Sequence, residues 1–252
     1  MKKIILLTIS IAISLTSSLY GQDTAESANR QGLDEVNKQN YQTAAGHFER
    51  AIELKPDYVS AHFNLGTAYF YLHRTQQSID VLQRAVELDP SSPASHNRLG
   101  AVYLESGDNA RAIAAFKEAT LLSPTYSSAF YNLGCAYIRV NNFKAAVESL
   151  ELARKLDPGN AEIRLNLSYA MSREHRMAEA IAEMETAVNL SPEDPDLHLA
   201  LGNLFVLAKD LTRASEQYTR LRDMDPVAAR KLYDTIHGRS IVTVAELRKL
   251  RN

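Results

Sequence analysis

The chain has 252 residues, of which 45% are hydrophobic and 23% are charged, and its formal net charge is -2 at pH 7. Basic and acidic residues are mixed along the sequence, so no basic stripe suited to nucleic acid is formed and we expect no nucleic-acid partner. A single cysteine excludes an intrachain disulfide.

The first predicted element is an apolar segment, residues 4–15, which follows two lysines and precedes small and polar residues up to Gly21. This order is typical of a secretory signal peptide, and we assign residues 1–21 to one, with cleavage after Ser18 or Gly21. The apolar segment is shorter than the roughly 20 residues that cross a bilayer, which makes an N-terminal membrane anchor the alternative. We therefore expect an exported protein of the bacterial envelope, periplasmic or extracellular, without a stable membrane span.

Beyond residue 24 the sequence repeats with a period of 34 residues. The prolines that mark this period are Pro56, Pro90, Pro124, Pro158, Pro192 and Pro226. A leucine followed by a small residue also recurs, and its small-residue place holds Gly66, Gly100, Gly134, Ser168 and Gly202. In the second half of each unit, small residues recur at Ala44, Ser78, Ala112, Ala146, Ala180 and Ala214.

Each unit is predicted to form two short helices. Apolar residues recur at helical spacing in both halves, and turn residues separate the halves, most plainly at Ser106-Gly107-Asp108 and Asn141-Asn142. The proline ends the second helix because its ring removes a backbone donor and disfavours a helical residue before it. One helix pair does not bury its own apolar face, so neighbouring pairs must stack.

At these residues the chain resembles the tetratricopeptide repeat family. The six repeats are residues 25–58, 59–92, 93–126, 127–160, 161–194 and 195–228, so the resemblance covers residues 25–228. It implies an all-α fold, a right-handed α-solenoid of six helix-turn-helix units. After the sixth repeat we predict a capping helix, residues 227–238, that covers the last repeat. Residues 239–252 form a short basic tail, for which solvation is preferred to contact with a partner or a lipid headgroup.

The first helix of each repeat presents one face away from its partner helix, and in the resembled family this face lines a concave groove that binds extended protein segments. Counted from the third residue after each proline, positions 2, 5, 9, 12 and 13 lie on this face at about 100° per residue. Position 5 holds Asn29, Phe63, Asn97, Tyr131, Leu165 and Leu199, and position 9 holds Leu33, Thr67, Ala101, Cys135, Tyr169 and Asn203. The predicted groove is therefore mostly apolar and aromatic.

Position 6, at the edge of the predicted groove, repeats asparagine. It holds Asn64, Asn132 and Asn166, with Arg30 and Arg98 in two other repeats. An amide both donates and accepts hydrogen bonds, which suits a peptide backbone of any sequence, and similar asparagine ladders hold peptides in some family members. The alternative is that these asparagines only bond neighbouring helices. The predicted peptide-binding residues are Asn64, Asn132, Asn166, Arg98, Phe63, Tyr131, Cys135 and Tyr169.

We expect no metal, no cofactor and no enzymatic activity. The sequence contains no zinc-binding helix motif, phosphate-binding glycine loop or nucleophile elbow. Cys135 is interpreted as a small groove residue, since no histidine or lysine one turn away activates its thiol, and an interchain disulfide is the alternative. The place of the family's frequent tryptophan is taken by His62, His96, Phe130 and His198. A metal shared by His62 and His96 is disfavoured because packed helices lie roughly 10 Å apart.

Two functions from different classes remain. The first is a non-enzymatic protein–protein interaction module, an exported adaptor or holdase that binds an extended peptide segment of a client protein in the groove. The second is a structural scaffold or a self-associating component of an envelope complex. The oligomeric state separates the two, and the sequence leaves it open.

Overall fold

The computed structural model describes residues 24–238, and this part of the chain contains thirteen α-helices and no strand. The helices are α1 Ala25–Asn37, α2 Tyr41–Leu54, α3 Val59–Tyr71, α4 Thr75–Leu88, α5 Pro93–Glu105, α6 Asn109–Leu122, α7 Ser127–Arg139, α8 Phe143–Leu156, α9 Ala161–Arg173, α10 Met177–Leu190, α11 Pro195–Leu207, α12 Leu211–Met224 and α13 Pro226–Ile236. None of the helices between residues 24 and 238 combines the length and apolar character that a membrane crossing requires. The predicted signal peptide, residues 1–21, and the predicted tail, residues 239–252, lie outside the described residues.

The helices form two compact units, which we call the N-terminal unit and the C-terminal unit. The N-terminal unit ends at Asp108 and contains α1 to α5, whereas the C-terminal unit begins at Asn109 and contains α6 to α13. Within each unit, every helix packs on the next helix along the chain, and α13 packs on both α11 and α12. This consecutive packing of helix pairs confirms the predicted all-α solenoid. We call the first helix of each repeat an A helix (α1, α3, α5, α7, α9 and α11) and the second a B helix.

A residue with a left-handed backbone ends each A helix. The six residues are Gln39, His73, Gly107, Asn141, His175 and Lys209, with φ between 55° and 86°. After each of them, the next amide donates to the carbonyl five residues earlier, as in the 2.9 Å bond from Asp108 N to Tyr103 O. This pattern is the Schellman ending of a helix, which usually places glycine at the left-handed residue. Five of the six turns form this ending with a residue other than glycine at the left-handed position. The packing of the helices therefore sets the turn geometry, and glycine is not required for it.

Small residues allow the A and B helices of one repeat to approach closely. A Cβ atom on Gly66 would lie 2.4 Å from Leu82 Cγ, and one on Gly134 would lie 2.5 Å from Leu150 Cγ. These distances are far below van der Waals contact, so only glycine fits without displacing the leucine. In the sixth repeat the corresponding Gly202 instead meets Leu232 of α13, at 2.5 Å from its Cδ2.

In each repeat, a small residue of the A helix and a small residue of the B helix are buried. In two repeats a buried serine is one of these two residues. Ser78 on α4 donates from its hydroxyl to Gly66 O at 2.6 Å, and Ser168 on α9 donates to Ala180 O, also at 2.6 Å. The hydroxyl comes from the B helix in the second repeat and from the A helix in the fifth. The degraded motif at Ser168 therefore preserves the close helix contact and adds a hydrogen bond to it.

The last helix covers the end of the C-terminal unit. Asp225 starts α13 directly after α12, because its carboxylate accepts from Val227 N at 2.8 Å and Ala228 N at 3.1 Å. Leu232 is fully buried in a cluster with Leu199 of α11 and Leu221 of α12. Helix α13 thereby shields the apolar residues that α11 and α12 would otherwise expose.

Candidate peptide-binding face

The predicted groove positions are accessible in some repeats and buried in others. Phe63, Tyr131, Cys135 and Tyr169 are all half-buried, so each offers part of its side chain to a ligand. The prediction was wrong for the position 5 leucines, since Leu165 is 7% exposed and Leu199 is 0% exposed. Both belong to the core, and Leu199 is covered by α13.

In the N-terminal unit, Asn64 bonds a neighbouring A helix. Its Nδ2 on α3 donates to Asn29 Oδ1 on α1 at 2.9 Å, and Asn29 is buried. Asn64 itself is half-buried. The bond joins two successive A helices, which is the structural role that the alternative interpretation gives to these asparagines.

In the C-terminal unit, Asn166 organises a polar network. It is only 2% exposed, and its Nδ2 donates to Tyr131 Oη and to Glu162 O, both at 3.0 Å. Tyr131 Oη in turn donates to the exposed carboxylate of Glu162, with an Oη to Oε1 distance of 3.2 Å. Asn166 is itself buried and orients the ring of Tyr131 from below, and the network reaches the surface through Tyr131 and Glu162. Asn132, one residue further along α7, is half-buried.

Arg98 lies against aromatic rings in the N-terminal unit. Its guanidinium carbon is 5.5 Å from the ring centre of Phe70 and 6.0 Å from that of Tyr71. Tyr71 also stacks on Tyr41, with ring centres 4.6 Å apart and planes 16° apart. The planar guanidinium is thus held by cation–π contacts on α3.

A matching group in the C-terminal unit centres on Arg173. Its guanidinium carbon lies 4.6 Å from the ring centre of Phe143, and its Nη1 donates to Tyr169 Oη at 3.2 Å. Phe143 and Tyr169 meet edge to face, with ring centres 6.0 Å apart. Tyr169 is thereby oriented by both Phe143 and Arg173.

Sequence reasoning missed Phe143, Arg173, Tyr41 and Tyr71. Tyr41 and Phe143 each begin the B helix of one repeat, and Tyr71 and Arg173 each end the A helix of the next repeat. The signal was present, because Tyr71 and Arg173 occupy position 13 of the groove face. It was overlooked because the contact joins residues of two different repeats.

Four residues at the family's tryptophan place, three histidines and one arginine, donate a hydrogen bond to the loop before their own helix. The Nε2 atoms of His62, His96 and His198 donate to the carbonyls of Pro56, Pro90 and Pro192 at 2.9, 3.0 and 2.8 Å. A carbonyl only accepts, so each ring carries its proton on Nε2. Arg164 occupies the same place, and its Nη2 donates to Pro158 O at 3.1 Å. These four side chains hold the loop against the A helix. The described residues contain no cluster of three or more potential metal ligands.

Tyr69, on the face of α3 that packs against the B helices, has a shifted ionisation. It is buried and its hydroxyl donates to Glu49 Oε1 at 2.5 Å. Burial, together with the hydrogen bond to the Glu49 carboxylate, raises the pKa of Tyr69 to about 12. The tyrosine therefore stays neutral and bonded throughout the physiological pH range.

We call positions 2, 5, 9, 12 and 13 of the A helices, with position 6 at their edge, the A-helix face. The consecutive helix pairs and this partly exposed face define a class of protein, the α-solenoids that act as protein–protein interaction modules. Models of the tetratricopeptide repeat match residues 29–93, 63–127, 103–164 and 172–229, which together span well over half of the chain. The chain belongs to the tetratricopeptide repeat family. No curated protein matches it.

Solved structures show the same fold at low sequence identity. The structure of pilF from Pseudomonas aeruginosa has a TM-score of 0.72 at 18% identity, over 83% of this chain and 96% of that one. A tetratricopeptide repeat protein from Parabacteroides merdae has a TM-score of 0.70 at 18% identity, over 92% and 90% of the two chains. YrrB, described as "a TPR protein with an unusual peptide-binding site", has a TM-score of 0.63 at 20% identity, over 73% and 95%.

Proposed function

We propose that the protein is an exported adaptor or holdase whose A-helix face binds an extended segment of a client protein. The observation that carries the proposal is the group of half-buried, oriented side chains at groove positions of α7 and α9. Tyr131 is fixed by Asn166, and Tyr169 is fixed by Phe143 and Arg173. Preoriented aromatic side chains bind at a low entropic cost, which is the usual property of a recognition surface.

The sequence and the fold support this proposal in two further ways. The signal-peptide pattern of residues 1–21 supports export. YrrB shares the fold and is described as having a peptide-binding site, which supports a similar use of this fold here. Proteins of this family are typically non-enzymatic, in agreement with a binding role.

The proposal is tested by crosslinking from Cys135 in the native host. The cysteine is unique and half-buried on α7, so a photoactivatable group attached to its thiol samples the proposed site. The matched control combines Cys135→Ala with Leu152→Cys, which places the same group on an exposed position of the B helix α8. We expect a specific protein adduct from position 135 that is absent from position 152 and that is weakened by Tyr169→Ser. Equal capture at the two positions would contradict binding at the A-helix face.

Light scattering of the purified chain addresses the scaffold alternative. A client-binding adaptor is expected to keep its mass in solution when Tyr131 and Tyr169 are replaced. A stable oligomer, unchanged on dilution and broken by substitutions on the B helices, would instead support the structural role.

A further inference from the structure

Arg98 and Arg173 differ from most arginines of the described chain. Eight others form ion pairs with carboxylates, namely Arg50, Arg84, Arg154, Arg164, Arg176, Arg213, Arg222 and Arg230. Within residues 24–238, Arg98 and Arg173 contact aromatic rings and no carboxylate. Both lie on A helices, Arg98 on α5 and Arg173 at the end of α9.

The surroundings of Arg173 leave most of its hydrogen-bonding capacity unused. Its side chain is exposed, Phe143 contacts the guanidinium at 4.6 Å, and only Nη1 donates within the described chain, to Tyr169 Oη. A guanidinium has five N–H donors in a fixed plane. The exposed Glu174 is next in sequence but forms no ion pair with it. Arg173 therefore combines a fixed orientation with a free positive charge.

This chemistry selects a carboxylate. A planar guanidinium binds a carboxylate through two parallel hydrogen bonds, and aromatic contacts on its face do not compete for the in-plane donors. The half-buried Tyr169 and Cys135 lie at groove positions of α9 and α7, so an apolar side chain of the ligand finds a surface in the same unit. In the N-terminal unit, Arg98 lies against the exposed Tyr71 and offers the same combination.

We propose that the segment bound by the A-helix face is acidic, with an aspartate or glutamate that binds Arg173 beside an apolar or aromatic residue. Arg98 is the corresponding receptor of the N-terminal unit. The inference rests on the proposed function and names the chemistry of its partner.

The test measures the affinity of fluorescent peptides for the purified chain. The probes are three short peptides of matched length in which leucine and phenylalanine alternate with aspartate, with asparagine or with lysine. We expect the aspartate peptide to bind at least about tenfold more tightly than the asparagine peptide, with the difference shrinking as salt is added. The lysine peptide is expected to bind most weakly.

Variants assign the preference to the receptor. Arg173→Gln is expected to lower the affinity for the aspartate peptide about tenfold and to leave the affinity for the asparagine peptide unchanged. Arg173→Lys keeps the charge but loses the planar fork, so its expected loss lies between wild type and Arg173→Gln. Arg220→Gln is the matched control, since Arg220 is exposed on α12 in the same unit and has no aromatic contact within residues 24–238. Arg98→Gln and Arg84→Gln make the same pair in the N-terminal unit, since Arg84 is exposed on the B helix α4.

The outcomes separate this inference from the proposed function. Equal binding of the aspartate and asparagine peptides, or an Arg173→Gln effect no larger than that of Arg220→Gln, overturns the inference and leaves peptide binding intact. Binding of none of the peptides overturns both. Arg173-dependent binding to vesicles containing anionic lipid, without peptide binding, also overturns the inference because the carboxylate segment is then the wrong partner.

Discussion

Helices α7 and α11 occupy the same place in their repeats, yet only α7 presents its groove positions to solvent. Position 5 is the half-buried Tyr131 on α7 and the fully buried Leu199 on α11. Position 9 is the half-buried Cys135 on α7 and the 7% exposed Asn203 on α11. The position in the repeat sets the direction of a side chain, whereas the neighbouring helix decides whether a ligand can reach it. The proposed binding face therefore ends where α13 begins to cover the solenoid.

The largest expected effect on stability comes from weakening the contact between α13 and α11. Leu232→Ala removes a fully buried side chain that contacts α11, and we expect the free energy of unfolding to fall by about 3 kcal/mol. Val227→Ala is the control on the same helix, because Val227 is exposed and its truncation should change stability by less than about 0.5 kcal/mol. Urea unfolding measures both. Similar losses for the two variants would show that α13 does not hold the end of the unit.

Thiol labelling tests the difference in accessibility directly. In a Cys135→Ala background, Tyr131→Cys and Leu199→Cys place one thiol at position 5 of α7 and of α11. Labelling at residue 199 requires local opening beneath α13, so we expect it to be about 100-fold slower than at residue 131. Equal rates measured by mass spectrometry, with both variants folded by circular dichroism, would remove the distinction between the two helices.

The close contact beneath α7 provides a third test. A Cβ on Gly134 would lie 2.5 Å from Leu150 Cγ, so we expect Gly134→Ala to lower the free energy of unfolding by about 2 kcal/mol. Gly46→Ala on α2 is the control, because its Cβ would meet nothing within 4 Å. That control should raise stability by about 0.5–1 kcal/mol through helix propensity. A stability gain at residue 134 would mean that the helices separate at little cost.

The smallest effect extends the comparison to position 11, which is Tyr69 on α3 and Phe205 on α11. The pKa of Tyr69 is raised to about 12 in the folded chain from an ordinary value of about 10, so its stabilising effect is complete below pH 10. As the pH rises from about 10 towards about 12, the unfolded tyrosine ionises first and stability is lost. Tyr69→Phe removes the hydroxyl that bonds Glu49 and should flatten this part of a denaturation series against pH. An unchanged slope in Tyr69→Phe would assign the loss to other groups.

The sequence predicted the fold well because each repeat encodes its own helix pair. The recurring prolines and small residues mark helix ends and close contacts that depend on residues within one 34-residue unit. Even the degraded motif at Ser168 kept its position, since a serine fits the close contact and bonds Ala180 O. Local steric requirements of this kind are readable from periodicity alone.

The candidate site was less predictable because accessibility depends on what packs above each position. The burial of Leu199 follows from the placement of α13, and the burial of Leu165 from the surrounding core. The contact of Arg173 with Phe143 joins the end of one A helix to the start of the preceding B helix. Such contacts depend on how successive repeats stack. A helical wheel gives the direction of each side chain around one helix and contains no information about stacking.

The absence of a loop between α12 and α13 has a consequence for building longer or shorter versions of this array. Asp225 closes α12 and caps α13, and Leu232 occupies the space that faces Gly202. A seventh unit spliced after residue 228 would have to displace that leucine. The sixth repeat and α13 therefore form one structural unit at the end of the array. Lengthening or shortening the array requires inserting or deleting whole repeats before that unit.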